Sequence, residues 1–166
     1  MNSNMTGKMI YHSPLGRLLI CADMEGICAL RMAGEGETAS AVPSSPLLAE
    51  TARQLDMYFG GRLRCFDLPL SQKGSPFELA VWAQLRGVPY GEVRTYGQIA
   101  AQLGMHKAAR AVGRACGANP VLIITPCHRV IGAGGRLTGF AAGVDAKKAL
   151  LALEGHKVKN DRIILL

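Results

Sequence analysis

Short apolar runs come first in this chain, and longer helical stripes follow. The runs at about residues 8–12, 17–22 and 27–32 are separated by turn-forming residues and predict three strands. Asp23-Met24-Glu25-Gly26 predicts a hairpin with Gly26 as a left-handed bulge residue. In that register Leu18, Ile20 and Ala22 pair with Met32, Leu30 and Cys28 on the inner face, and Cys21 points away from Cys28. A Gly/Glu/Ala/Ser/Pro stretch, 34–43, interrupts the pattern. A helix then opens at Ser45 as N-cap with Pro46 in the first position, carries Leu48, Ala52, Leu55 and Phe59 on one face, and stops at Gly60-Gly61. Cys65-Phe66-Asp67-Leu68 predicts a further strand, and 71–74 a linker.

From Ser75 onward the period is helical. Ser75-Pro76-Phe77-Glu78 is a capping box that opens a helix through Val81, Trp82 and Leu85, ending at Gly87. Thr95-Tyr96-Gly97-Gln98 is a second, opening a short helix that ends at Gly104. After a three-residue turn a third helix runs from about Lys107 to Gly117, which makes a helix-turn-helix pattern. Its faces separate: Ala108, Val112, Ala115 and Cys116 toward a core, Arg110, Gly113, Arg114 and Gly117 on the other side. Two glycines cost a helix about 1 kcal/mol each. Beside two arginines, that cost fits the close approach of a sugar-phosphate backbone. A last helix is predicted after Asp145 as N-cap, through Leu150, Leu151 and Leu153 to Glu154 and Gly155. The pattern is α+β, with an N-terminal α/β unit over 1–72, a mainly helical domain over 75–155 and a tail over 156–166.

With 166 residues, 49% of them hydrophobic, the chain is long enough to bury a core. No apolar stretch approaches the roughly 20 residues that span a bilayer, and the start lacks a signal-peptide pattern, so a cytoplasmic, reducing location with no membrane partner is expected. Five scattered cysteines without a CxxC pair argue against a disulfide framework or a structural metal site. The net charge of +7 is unevenly spread. Residues 1–85 hold seven Lys/Arg against eight Asp/Glu, and residues 86–166 hold twelve against four. A polyanion such as nucleic acid suits the second half.

That half also contains Pro126-Cys127-His128-Arg129, where a thiol stands beside two cationic side chains. A free thiol has a pKa of about 8.5, and neighbouring cations lower it; His128 and Arg129 are the candidates for this. In an extended strand, adjacent side chains leave on opposite faces, so His128 is not a direct base for Cys127. A bend, or a water molecule between them, would couple the two. Glu154, at a helix end, is the candidate carboxylate for orienting the imidazole.

Tyr96, Ala108-Ala109-Arg110-Ala111-Val112-Gly113, Asn119-Pro120, Pro126-Cys127-His128-Arg129-Val130-Ile131-Gly132, Gly139-Phe140 and Glu154-Gly155 together resemble the O6-alkylguanine-DNA alkyltransferases. The resemblance is specific over about 75–155 and looser in the N-terminal unit, for which it implies an RNase H-like fold. It implies direct-reversal repair of double-stranded DNA containing O6-alkylguanine, and of O4-alkylthymine, by a monomer without cofactor or metal. Cys127 would accept the alkyl group permanently, activated by His128 and Glu154 through a water molecule. Tyr96 would protonate the departing guanine, and Arg110 would fill the stack when the lesion is flipped out. Thr95, Gly113 and Arg114 would complete the DNA contact. Val130 would offer its carbonyl to the base, Phe140 and Ala141 would line the base pocket, and Asn119 would be a structural hinge. Family members frequently carry serine at the position of Ala141, tyrosine at Phe140 and glycine at Ala142. Two other classes stand beside this one: a lesion-binding sensor without chemistry, which Cys127 opposes, and a Cys-His hydrolase, which the adjacency of Cys127 and His128 opposes.

Overall fold

The computed structural model describes residues 5–165. The chain divides into two compact units, 1–73 and 74–166. In the first unit, β1 (Met5–Ser13), β2 (Gly16–Asp23) and β3 (Ile27–Met32) form an antiparallel meander. Leu18 faces Met32 and Ile20 faces Leu30, as the alternation predicts, but a bulge after Cys21 sets Ala22 opposite Ile27. Cys28 is the extra residue, and it packs against the small cluster of Ile10, Leu19 and Cys21 instead of facing away from it. All five cysteines are free thiols.

Helix α1 (Pro46–Phe59) begins where its cap places it: the Ser45 side chain accepts from the Leu48 N–H. Its buried face is Leu48, Thr51, Leu55 and Tyr58, rotated from the predicted stripe, with Ala52 and Phe59 only partly covered. Gln54 on this face explains why 65–68 is not a strand. Its amide donates to the Asp67 carbonyl at 3.0 Å and accepts from the Asp67 N–H at 2.9 Å, so a side chain takes the bonds a neighbouring strand would supply. The chain reaches the sheet at Leu70, an isolated parallel bridge to Ile27 made by the Pro69 carbonyl and the Ser71 N–H.

The second unit contains α2 (Pro76–Arg86), β4 (Arg94–Thr95), α3 (Tyr96–Gln102), α4 (Ala109–Gly117), β5 (Val130–Ile131), α5 (Val144–Leu153), β6 (Val158–Lys159) and β7 (Arg162–Ile163). Both predicted capping boxes are closed reciprocally, Ser75 with Glu78 and Thr95 with Gln98. Helices α3 and α4 form the helix-turn-helix. The latter starts two residues later than its periodicity suggests, because the Ala108 N–H closes a turn on the Met105 carbonyl. Gly143, not Asp145, caps α5, and Asp145 falls in its first turn. The segment after Gly155 folds back as the β6–β7 hairpin, with Ile163 buried against Ile131, Leu137 and Leu151. Among the described residues no helix is long and apolar enough to cross a membrane.

Candidate active site around Cys127

The site is assembled from four short pieces of backbone. β4 and β5 run parallel, Arg94 opposite Val130 and Thr95 opposite Ile131, which sets Tyr96 at the start of α3 beside the strand that leaves Cys127. The indole N–H of buried Trp82 donates to the Ala115 carbonyl at 2.9 Å and fixes α4 against α2. α4 then turns Gly113 and Cys116 inward. Together with Tyr96, Cys127, Phe140 and Ala141 they line a cavity of about 270 Å³. A wider groove outside it is bordered by Arg110, Thr138 and Gly139.

Asn119 shapes the approach to Cys127. It is buried, its amide donates to the Thr125 carbonyl at 2.8 Å, its oxygen accepts from the Val121 N–H at 3.0 Å, and it hydrogen-bonds the Cys127 thiol. Between these anchors Ile123 has φ 70, inside a three-residue turn closed by the Ile124 N–H on the Leu122 carbonyl at 2.7 Å. A β-branched residue in that region costs on the order of 1–3 kcal/mol and persists only where its surroundings hold it. Asn119, expected as a hinge, joins the end of α4 to the segment that carries Cys127 through these hydrogen bonds.

Cys127–Arg129 form a single turn of 3₁₀ helix, not an extended strand. The reason is local: the Cys127 N–H bonds back to the Thr125 carbonyl, and the Arg129 N–H to the Pro126 carbonyl. His128 and Arg129 both run to Glu154. The imidazole Nε2 lies 2.7 Å from Glu154 Oε2, and the guanidinium is bidentate on the carboxylate, Nε at 2.8 Å and Nη2 at 3.1 Å. Arg129 Nη1 also donates to the Val88 carbonyl at 2.7 Å. All three side chains are buried. A buried carboxylate needs a counter-charge, and Arg129 supplies it.

The electrostatics differ from the expectation that His128 and Arg129 lower the Cys127 pKa. Burial pushes the Cys127 thiol up, to about 11, and what opposes it is the Asn119 hydrogen bond, Lys147 and the backbone. Arg129 is neutralised by Glu154. Burial also pushes His128 down, partly countered by Glu154, so its imidazole is neutral at neutral pH. Since a carboxylate only accepts, Nε2 carries the hydrogen and Nδ1 the lone pair. Nδ1 is buried, and no described group hydrogen-bonds it.

Lys147 adds a buried cation to this site that the motifs along the chain do not single out. It is fully buried on α5, and its ammonium donates to the Val130 carbonyl at 2.6 Å. It lies 5.9 Å from the centre of the Tyr96 ring and interacts electrostatically with Cys127 and Cys116. A signal was present: Val144, Lys147 and Leu151 share one helical face, so a cation stands in an apolar stripe. Val130, expected to offer its carbonyl to a substrate base, is itself fully buried, with that carbonyl on Lys147.

The remaining predicted residues fall around the opening. Tyr96 is half-buried, its hydroxyl 2.7 Å from Thr138 Oγ1, and burial raises its pKa, so it stays a phenol. Thr95 caps α3. Arg110 and Arg114 are exposed on α4, and a Cβ added at Gly113 between them would stand 3.8 Å from the Tyr96 ring. Phe140 meets the His128 ring edge-on at 6.5 Å between centroids. No group of three or more His, Cys, Asp or Glu side chains among the described residues is arranged to hold a metal ion.

Residues 76–156 match the family described as 6-O-methylguanine DNA methyltransferase, DNA binding domain, and residues 8–72 its ribonuclease-like domain. The methylated-DNA–protein-cysteine methyltransferase of Methanosarcina acetivorans is 47% identical over 151 residues, covering 88% of this chain and 96% of that protein. That of Mycolicibacterium paratuberculosis is 46% identical over 145 residues, covering 86% and 88%. Among solved structures, the Mycobacterium tuberculosis protein OGT in complex with DNA superposes with a TM-score of 0.80 at 44% identity, over 89% of this chain and 91% of that one. With both of its domains matched and these identities spanning most of its length, the chain belongs to the 6-O-methylguanine DNA methyltransferase family.

Proposed function

We propose that Cys127 is the acceptor in a single-turnover repair of O6-alkylguanine, methyl in preference to larger groups, in double-stranded DNA, with O4-alkylthymine as a second substrate. The observation that carries the reading is the cavity: the Cys127 sulfur lines one wall, Tyr96 stands at another, and the neutral imidazole of His128 is held behind by Glu154. A water molecule relays the thiol proton to Nδ1 of His128, and Lys147 stabilises the thiolate that forms. The sulfur attacks the alkyl carbon in line, the carbon–oxygen bond breaks, and its electron pair stays on guanine. The Tyr96 phenol returns a proton to a ring nitrogen of the base. Because the thioether does not release its alkyl group, each molecule acts once.

The base must leave the stack to reach a buried sulfur. Arg110 on the exposed face of α4 fills the gap, Arg114 and Thr95 contact the backbone, and Gly113 lets it come close. Phe140 and Ala141 border the extruded base, and a second lone pair on the Val130 carbonyl receives its amine. The protein acts as a monomer in the cytoplasm.

Intact mass after incubation with methylated-guanine duplex tests this. A permanent gain of one methyl group, mapped to Cys127 and absent in Cys127→Ala, is expected. Repeated turnover on an unmodified protein would overturn the acceptor role, and lesion binding with neither outcome would make the protein a sensor.

A further inference from the structure

The C-terminal segment and Thr138 are connected. The Leu137 N–H donates to the Asp161 carbonyl at 2.8 Å, and Arg136 bridges Arg162, so β7 and the chain just before it hold the stretch leading into Thr138. Leu137 is buried with Ile163, Ile131 and Leu151. On the other side, the Gly132 N–H closes on the Arg136 carbonyl at 2.7 Å. Thr138 therefore leaves a backbone pinned from two directions, and its hydroxyl ends 2.7 Å from that of Tyr96.

We infer that Thr138, clamped by the C-terminal hairpin, is a positioning residue that aims and supports the Tyr96 phenol for proton return to the leaving base. This rests on the role proposed above for Tyr96. A phenol has one hydrogen and rotates about its C–O bond. When Thr138 donates to the phenol oxygen, the phenol hydrogen is left for the base. When the proton moves to the base nitrogen, the negative charge that develops on the tyrosine oxygen already has a donor, and water later restores the phenol. The Thr138 bond opposes the rise that burial imposes on the Tyr96 pKa, which is the direction this role requires. The Lys147 ammonium lies 5.9 Å from the centre of the Tyr96 ring, and a Cβ added at Gly113 would stand 3.8 Å from the ring.

The test is a double-mutant cycle on the full chain, read as the single-turnover rate of methyl transfer from duplex DNA. Thr138→Val keeps the shape and removes the hydroxyl; it should slow transfer about fivefold to tenfold, the scale of one hydrogen bond. Thr138→Ser should restore the rate, and affinity for unmodified duplex should stay unchanged in both. In a Tyr96→Phe background, Thr138→Val should cause no further loss. A wild-type rate for Thr138→Val, or equal losses with and without the phenol, would overturn the inference while leaving Tyr96 in its role. A wild-type rate for Tyr96→Phe would remove the role of Tyr96 itself, and this inference with it.

Discussion

A buried ammonium beside a buried thiol lowers the free energy of ionising the sulfur, because the anion gains a partner in a medium that screens poorly. Lys147 holds that position through its bond to the Val130 carbonyl, where its own pKa is pushed down by burial and raised again by Cys127 and Cys116. Lys147→Met keeps the length and removes the charge. It should slow both methyl transfer and reaction of Cys127 with a small neutral alkylating agent by about tenfold at a given pH, as expected for a loss of thiolate corresponding to one pKa unit. A pH–rate profile that stays in place would show that Lys147 serves only the Val130 carbonyl. That His128, next to Cys127, would meet the distant Glu154 was legible in the chain, since a thiol after proline and a glutamate at a helix end are local patterns. Which cation serves which anion was not. Arg129 is next to the thiol in sequence and ion-paired with Glu154 in space, whereas Lys147 is 20 residues away and electrostatically coupled to the sulfur. Partner choice among buried charges follows from the fold.

At the scale of elements, caps and stops decided what could be read. The helices opened by Ser45, Ser75 and Thr95 begin where hydrogen bonds between side chain and backbone predict. The misreadings share a different cause: a backbone group found a partner that no local rule names. Gln54 took Asp67, and the carbonyls of Thr125 and Pro126 drew Cys127–Arg129 into a turn. The loop after β5 is of the same kind, being set by the distant hairpin. Gly135 there has φ 85, and a Cβ on it would lie 2.5 Å from the Ile163 carbonyl oxygen. Gly135→Ala should destabilise the second unit by about 2–3 kcal/mol through strain and overlap, and it should slow methyl transfer by displacing Thr138. Gly104→Ala is the matched control: φ is 72 but the space is open. It should cost about 1 kcal/mol and leave the rate unchanged. Equal effects on rate would mean that backbone strain alone matters, and the hairpin contact would lose its part in the site.

For the whole molecule, a thiol kept protonated by its surroundings couples stability to alkaline pH. The second half of the chain carries all of the excess positive charge, yet burial still dominates at Cys127, raising it from 9.0 to about 11. A folded-state pKa above the unfolded one means that the native protein binds this proton more tightly. The corresponding stability is complete below pH 9 and is lost as pH rises toward 11, because over that interval unfolding releases a proton. The loss attributable to Cys127 should reach about 2–3 kcal/mol. Trp82, the single tryptophan, is buried in the same unit and reports its unfolding by fluorescence in a urea titration. Cys127→Ala should shift stability by a constant amount at neutral pH, through lost packing, and should fall less steeply than wild type between pH 9 and 11. Cys116, raised to about 12 chiefly by burial and further by Cys127, remains in both proteins and adds a slope of the same sign to each. Protein methylated at Cys127 has no proton to lose there and should follow the shallow slope of the alanine variant. A methylated protein as steep as wild type would place the alkaline transition elsewhere and the acceptor thiol outside it.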